Sequence, residues 1–345
     1  MPKGVLNPKV FEKDLEKKAT RDGYGRGLME LGEMNEKVVV LTGDLKESTR
    51  AEEFFKKYPE RSIECGVAEQ NMTGIAAGLA AAGKIPFVSS YAVFSPGRAW
   101  DQVRVSVCYS NLNVKISGAH TGVSVGPDGA THQALEDIAI MRVLPNMTVV
   151  VPCDEIETRK MTLAAASCPG PVYFRFAREK TAVITTEEMP FEMGRAEVYW
   201  DSDNFQFSIF NFQSISKFSN LKNQIAIIGC GPLLYDCLVA AKELHGEGIG
   251  TMVINNHTVK PMDEKTIIEA VEKCGAVVTV EEHQVSGGMG SAVAEVLARN
   301  LPTPMEFVGM PDKFGESGEP GELLKKYGMD VASIKMAIKR VLARK

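Results

Sequence analysis

The sequence predicts a two-domain α/β protein built on parallel sheets. Apolar, β-branched runs alternate with helix-like segments along most of the chain. Those runs are apolar on consecutive residues, as expected of strands covered on both faces. The alternation comes in two series, and 345 residues suffice for two domains of roughly 100–200 residues each. Right-handed crossovers then place helices on both sides of each sheet.

The first domain is read over residues 20–190, after an N-terminal extension over 1–19. VVVLTGD (38–44) is a β-branched strand ending in turn residues, and 68–82 is a helix of small residues. Then come the strand PFVSSY (86–91), a helix near 97–109, the strand NVKISG (113–118) and a helix near 132–142. TVVVP (148–152), a helix over 155–167 and PVYFRF (171–176) complete the series. The second domain, 224–345, begins with QIAIIGCG (224–231) and a helix over 233–244. GTMVINN (250–256), a helix over 263–273, AVVTVEE (276–282) and a long helix over 287–300 follow. Residues 191–223 read as a linker. Its DSDNFQFSIFNFQSISKFSN stretch (201–220) is rich in Phe, Asn and Ser. It reads either as an extended surface loop or hairpin, or as a patch covered by a partner chain.

Gly74, Gly78 and Gly83 punctuate the helix at 68–83. Glycine costs about 1 kcal/mol against alanine inside a helix, so these should serve packing. They fit close packing on the chain's own sheet, or against a helix of another subunit.

Composition narrows the function classes. The apolar fraction is 44%, the charged fraction 24% and the net charge −5. No Lys/Arg stripe suggests nucleic-acid binding. The N-terminus lacks the apolar core of a secretory signal, and no apolar run is long enough to span a bilayer. The seven cysteines are odd in number and scattered, with no C-x-x-C pair and no histidine at ligand spacing from two of them. They read as reduced thiols, so the expectation is a cytoplasmic protein with no membrane partner and no metal site of its own.

Two stretches carry chemistry. IECGVAEQNM places Glu69 at the mouth of an apolar helix. A buried carboxylate needs a partner, so Glu69 either serves the helix dipole or takes part in a reaction. The glycine-rich GAHTGVSVGPDGATHQ holds two of the chain's five histidines, His120 and His132, with Asp128 between them. Such loops at strand ends expose side chains to a cleft.

With ATRDGYGRGL, LTGDLKEST, YAVFSPGRAWDQVR, LPNMTVVVP, FRFARE and VEEHQVSGGMG in this order, the chain resembles the C-terminal half of a transketolase. It is the half found as a separate subunit where that enzyme is split. The resemblance runs from about Thr20 to the C-terminus, omitting 201–220. It implies a parallel-sheet pyrimidine-binding domain of the thiamin diphosphate enzymes, followed by a smaller α/β transketolase C-terminal domain. The implied reaction moves a two-carbon ketol unit between sugar phosphates.

The resemblance also implies roles. Glu69 hydrogen-bonds N1′ of the cofactor's aminopyrimidine and promotes the tautomer that accepts the thiazolium C2 proton. Tyr91 and Phe94 form the wall against that ring, and Asp44 lies near the cofactor. A further aromatic often found in the family is replaced by Gly97 here, which implies a more open wall. Asp128 contacts the sugar C2 hydroxyl, and His132 binds near the reacting carbonyl, joining Glu69 as a catalytic residue. His120 faces the substrate phosphate or an adjacent hydroxyl. Arg21, Ser48 and Arg178 match phosphate-binding positions, where a guanidinium fork suits the anion. Arg175 is nearby, and Arg178 fits the role better. Plainer readings stay open: a turn residue for Asp44, core packing for Tyr91 and Phe94, a helix cap for His132, surface charge for the arginines.

GPDG (126–129) superficially matches the diphosphate and metal motif of thiamin enzymes, but no Asn pair follows at the required spacing. The diphosphate and its Mg²⁺ are therefore expected on a separate N-terminal subunit, in a heterotetramer of two pairs. Alternatives are the β subunit of a 2-oxo acid dehydrogenase, a deoxyxylulose-phosphate synthase-like fragment, or a partner-binding relic without activity. GCGP (229–232) is a weaker candidate phosphate cradle. His283 lies near the family's active-site entrance without an assigned role.

Overall fold

The computed structural model describes residues 6–202 and 224–345. Most of the Phe/Asn/Ser-rich stretch, residues 203–220, lies outside the described residues.

In chain order the first region holds β1 (Lys17–Ala19), α1 (Thr20–Met34), β2 (Val38–Thr42), α2 (Glu52–Lys57), β3 (Ser62–Glu64), α3 (Glu69–Ala81) and β4 (Ile85–Tyr91). After a one-turn α4 (Trp100–Gln102) come β5 (Lys115–Ala119), α5 (Asp137–Arg142), β6 (Thr148–Val150), α6 (Glu155–Ser167), β7 (Val172–Phe176) and β8 (Lys180–Ala182). The second region holds β9 (Glu197–Asp201), β10 (Gln224–Gly229), α7 (Leu234–Gly246), β11 (Gly250–Asn255), β12 (Thr258–Lys260) and α8 (Glu264–Cys274). It ends with β13 (Val277–Gln284), α9 (Met289–Asn300), β14 (Met305–Met310), α10 (Pro320–Lys326) and α11 (Val331–Leu342).

The seven-stranded sheet has the order β12-β6-β7-β5-β4-β2-β3, and the five-stranded sheet β14-β13-β10-β11-β9. All pairs are parallel except the edge strands β12 and β9. β2, β5 and β7 are buried along their whole length, as central parallel strands covered on both faces are. Lys115, buried inside β5, is satisfied by the Cys168 and Gly170 carbonyls at 2.6 and 2.8 Å, while burial pushes its pKa down to about 8. Asp154, Asp263 and Asp330 cap α6, α8 and α11 by accepting from backbone N–H groups three residues on.

Several boundaries differ from the sequence reading. β9 falls inside the 191–223 linker and forms the antiparallel edge of the second sheet. β12, from the second series, crosses to pair with β6 of the first sheet. The extension over 1–19 is anchored: Leu6, Val10 and Leu15 are buried in the apolar cluster of the second sheet, and β1 pairs with β8. The helix near 97–109 is three pieces, a 3₁₀ turn at Gly97–Ala99, then α4, then a π-helix over Val103–Tyr109. The helix near 132–142 is helical only from Asp137, because Ala134 bridges to Thr121. The glycine-rich TRDGYGRGL stretch lies in α1, a helix that its composition does not announce. Its glycines let it lie hard against α6: a Cβ at Gly23 would meet the Glu155 carbonyl at 2.0 Å.

α3 resolves one choice. A Cβ at Gly74 or Gly78 would meet nothing within 4 Å, so neither packs on its own sheet. Gly83 lies past the helix end at φ +85° and serves the turn.

Candidate active site

The chain reverses direction at β2, which lies between β4 and β3. Crevices of this kind, at the carboxyl ends of parallel strands, are where open α/β sheets bind ligands. Asp44 lies just past β2 in left-handed conformation, φ 62°. Glu64 Oε1 accepts from the Asp44 and Gly66 amides at 2.8 and 3.0 Å. Glu64 therefore holds the turn, and the Asp44 side chain is free toward solvent.

Glu69 opens α3 and is only 4% exposed. Its partner within this chain is Arg98, whose Nη1 donates to Oε1 at 3.1 Å. The Arg98 guanidinium also lies 4.1 Å from the centre of the Phe94 ring. The opening expected at Gly97 is thus covered by the next residue. Reading by residue type missed Arg98; its only signal was a lone arginine following the aromatic motif.

Tyr91, at the end of β4, is half-buried and stacks on Phe94 (5.7 Å) and on His120 (4.0 Å). His132 meets Phe94 edge-on at 5.3 Å. It precedes α5 by five residues and caps no helix; its Nδ1 lies 2.9 Å from Thr131 Oγ1.

His120 follows β5 directly, at φ 55° and 2% exposed. Burial, then the charges of Arg21 and Arg178, push its pKa down to about 3. The ring is neutral at ordinary pH. Its Nε2 accepts from Arg21 Nη1 at 3.3 Å, leaving Nδ1–H buried without a partner. Arg21 also donates to the Ser48 carbonyl at 3.1 Å. Ser48 enters through its backbone, since the turn after β2 aims that carbonyl at the guanidinium. Arg178 Nη1 donates to the Val125 carbonyl (2.9 Å) and to Asp128 Oδ1 (3.3 Å), both residues remaining partly exposed. Arg175 is excluded from ligand contact: it is 3% exposed and paired with Asp137 at 2.9 Å.

The structure thus gathers an acid, an aromatic wall, two histidines and two arginines at one set of strand ends. Arg98 tests the wall directly. A planar N–H donor already satisfies both Glu69 and the face of Phe94, and these are the contacts an aminopyrimidine would use. The residues therefore fit the pyrimidine end of thiamin diphosphate. Among the described residues, no group of three or more His, Cys, Asp or Glu is placed to hold a metal ion.

Two other candidates fall away. In GCGP, the Gly231 amide is spent on the Val151 carbonyl at 3.2 Å, so the turn cradles nothing. His283 is fully buried, with Nδ1 at 2.8 Å from the Gln284 carbonyl, and lines no entrance.

Residues 16–183 match the model of the transketolase pyrimidine-binding domain, and 217–334 that of the transketolase C-terminal domain. The chain is 43% identical over 320 residues to a transketolase C-terminal section of Methanocaldococcus jannaschii, covering 92% of this chain and 94% of that one. The chain belongs to the transketolase family. It is also 39% identical to a 6-deoxy-6-sulfo-D-fructose transketolase subunit of Clostridium sp. (strain MSTE9), over 97% of this chain and 98% of that one. A solved split-gene transketolase, described as an inactive β4 tetramer, superposes with TM-score 0.82 at 41% identity, over 95% of this chain and 99% of that one. Against human transketolase the chain spans half the length, at 35% identity. This is a transketolase-type enzyme subunit of the thiamin diphosphate family.

Proposed function

We propose that this chain is the C-terminal subunit of a two-subunit transketolase. It transfers a two-carbon ketol unit from a ketose phosphate to an aldose phosphate. The observation that carries this reading is the half-site itself. Glu69 and the Tyr91–Phe94 wall suit the aminopyrimidine end of the cofactor, while no Asn pair follows GPDG at the spacing of the diphosphate and metal motif. Bound thiamin diphosphate supplies the carbanion chemistry, with its diphosphate and Mg²⁺ held by an N-terminal subunit.

This chain's residues take the following parts. Glu69 shares a proton with the pyrimidine ring. His120, neutral and stacked on Tyr91, faces the substrate phosphate or an adjacent hydroxyl, and His132 polarises the reacting carbonyl. Asp128 fixes a sugar hydroxyl, and Arg21 and Arg178 bind the terminal anion. Asp44 lines the cofactor side.

The open Gly74–Gly78 face of α3 supports a helix of another subunit packing there. We place the enzyme in the cytoplasm as a heterotetramer of two pairs. The related solved protein described as an inactive β4 tetramer supports silence of the C-terminal chain alone.

The test is co-expression with a candidate N-terminal subunit, then turnover of xylulose 5-phosphate with ribose 5-phosphate. Decarboxylation of a 2-oxo acid without ketol transfer would overturn the reading. The Clostridium relative favours a second donor, a ketose ending in sulfonate. Arg21 and Arg178 suit either tetrahedral anion, so 6-deoxy-6-sulfofructose belongs in the same assay.

A further inference from the structure

Glu281 and Glu282 are adjacent on β13, so their side chains leave opposite faces of the sheet. Glu281 works inside its own domain: its carboxylate accepts from the Met289 and Gly290 amides at 2.7 and 2.8 Å and so caps α9. Glu282 does the same thing across the domain boundary. Its Oε1 accepts from the Ser124 amide at 2.7 Å and its Oε2 from Ser124 Oγ at 3.1 Å. Ser124 belongs to the loop that carries His120, Asp128 and His132.

That loop needs an external hold. His120, Gly122, Gly126 and Gly129 all have positive φ, so it is a run of tight bends around the short 3₁₀ stretch Val123–Asp128. At Gly122 a Cβ would meet Glu282 Oε1 at 2.1 Å, so the carboxylate lies directly on the loop backbone. Gln133 Nε2 donates to the Glu316 carbonyl at 2.9 Å, a second tie to the C-terminal domain. Next to Ser124, the Val125 carbonyl accepts from Arg178, which also reaches Asp128. A continuous line therefore runs from Glu282 through Ser124 and Val125 to the Arg178–Asp128 pair. Arg175 locks the other end, donating to the Glu282 carbonyl at 3.1 Å.

We propose that Glu282 is a positioning residue, through which the C-terminal domain sets the geometry of the substrate loop. Two charge-assisted bonds from one buried carboxylate fix both position and orientation. Removing them leaves a buried amide unpaired and frees the loop. This role depends on the substrate contacts proposed above for Asp128 and His132.

The test uses Glu282→Ala, Glu282→Gln and Ser124→Ala in two arms. In the full chain, hydrogen exchange of amides 122–129 should rise about tenfold or more in Glu282→Ala, with α3 unchanged. Glu282→Gln keeps an oxygen acceptor for the Ser124 amide and should exchange more slowly than Glu282→Ala. In the reconstituted pair, Glu282→Ala should raise KM for the ketose phosphate about tenfold, with thiamin diphosphate affinity, read calorimetrically, unchanged. Ser124→Ala added to Glu282→Ala should change little further. Wild-type exchange at 122–129, or loosening spread evenly over the whole chain, would overturn the positioning role. So would an unchanged KM in an active pair. A wild-type pair without ketol transfer overturns the transketolase reading instead, and the exchange arm still decides whether Glu282 holds the loop.

Discussion

Glu69 shows how a single residue is read differently in sequence and in space. Its place before an apolar helix demanded a partner, and the motif around it pointed to a cofactor ring. The structure adds Arg98, 29 residues later in the chain, as an ion-pair partner within the same subunit. Two expectations follow. Glu69→Gln in the assembled enzyme keeps the fold but removes most ketol transfer, since an amide cannot share a proton with the pyrimidine. Turnover at the wild-type rate would refute that. Arg98→Ala leaves a carboxylate that is 5% exposed without its cation. Because the guanidinium itself is 50% exposed, the expected loss is discounted to about 1–2 kcal/mol. Urea unfolding should show that loss in Arg98→Ala and its recovery in the Glu69→Gln, Arg98→Ala double variant. The motifs singled out Glu69, His120, His132, Asp128, Arg21 and Arg178 as candidates, and the fold brings them to one set of strand ends. Arg98 and Glu282 were not legible, because their roles come from pairings that no local pattern encodes.

At the level of elements, glycine explains both the misses and a contrast open to measurement. α1 carries four glycines, at 23, 25, 27 and 32, which by propensity argue against a helix. They are there because α1 touches α6 and its other neighbours at backbone distance. Gly23→Ala would drive a methyl into the Glu155 carbonyl and should cost about 1–3 kcal/mol or prevent folding. Gly74→Ala in α3 meets open space. It should stabilise the isolated chain by up to about 1 kcal/mol while weakening assembly with a partner subunit. Thermal unfolding and analytical ultracentrifugation separate the two effects. An unchanged assembly constant would remove the case for a subunit contact on that face. The strands β2, β4, β5, β6, β7, β10, β11 and β13 were legible because buried parallel strands are apolar on both faces. The edge strands β9 and β12 were not, since three to five residues with one free edge carry little pattern.

Across the whole molecule, burial shifts three acids toward neutrality: Glu157 and Glu197 at the seam between the two sheets, and Asp236 on α7 of the second region. Glu157 of α6 lies beside Tyr199 and Asn255 of the second region, bonded to the Asn255 amide at 2.7 Å. Burial, then Asp154, pushes Glu157 from 4.5 up to about 7. Burial and Glu157 push Glu197 to about 8, and burial pushes Asp236 to about 7. A carboxyl whose folded pKa is raised contributes its full stability below the unfolded value and loses it as pH rises through the folded one. Stability should therefore decline from about pH 5 to pH 8 on account of these three acids. His120 and His257, both pushed from 6.5 down to about 3 by burial first, act the other way and lose stability as pH falls from 6.5 toward 3. Three acids outweigh two histidines once the unfolded carboxyls have ionised, so the melting temperature should peak near about pH 4–5, and Glu157→Gln should flatten the alkaline side. A melting temperature still rising at pH 8 would contradict this balance.

By itself the sequence determined the α/β class, the order of the buried strands along the chain and the motifs that resemble the family's. Burial on both faces and motif spacing are written along the chain, so they can be read one residue after another. The tertiary structure alone decided that Arg98 answers Glu69, that Arg175 is buried against Asp137 while Arg178 stays partly exposed, and that Glu282 reaches the 120–132 loop from the other domain. It also decided that α1 is a helix and that Gly74 and Gly78 face outward. A pattern says which groups leave water; only the fold says which distant group each of them meets.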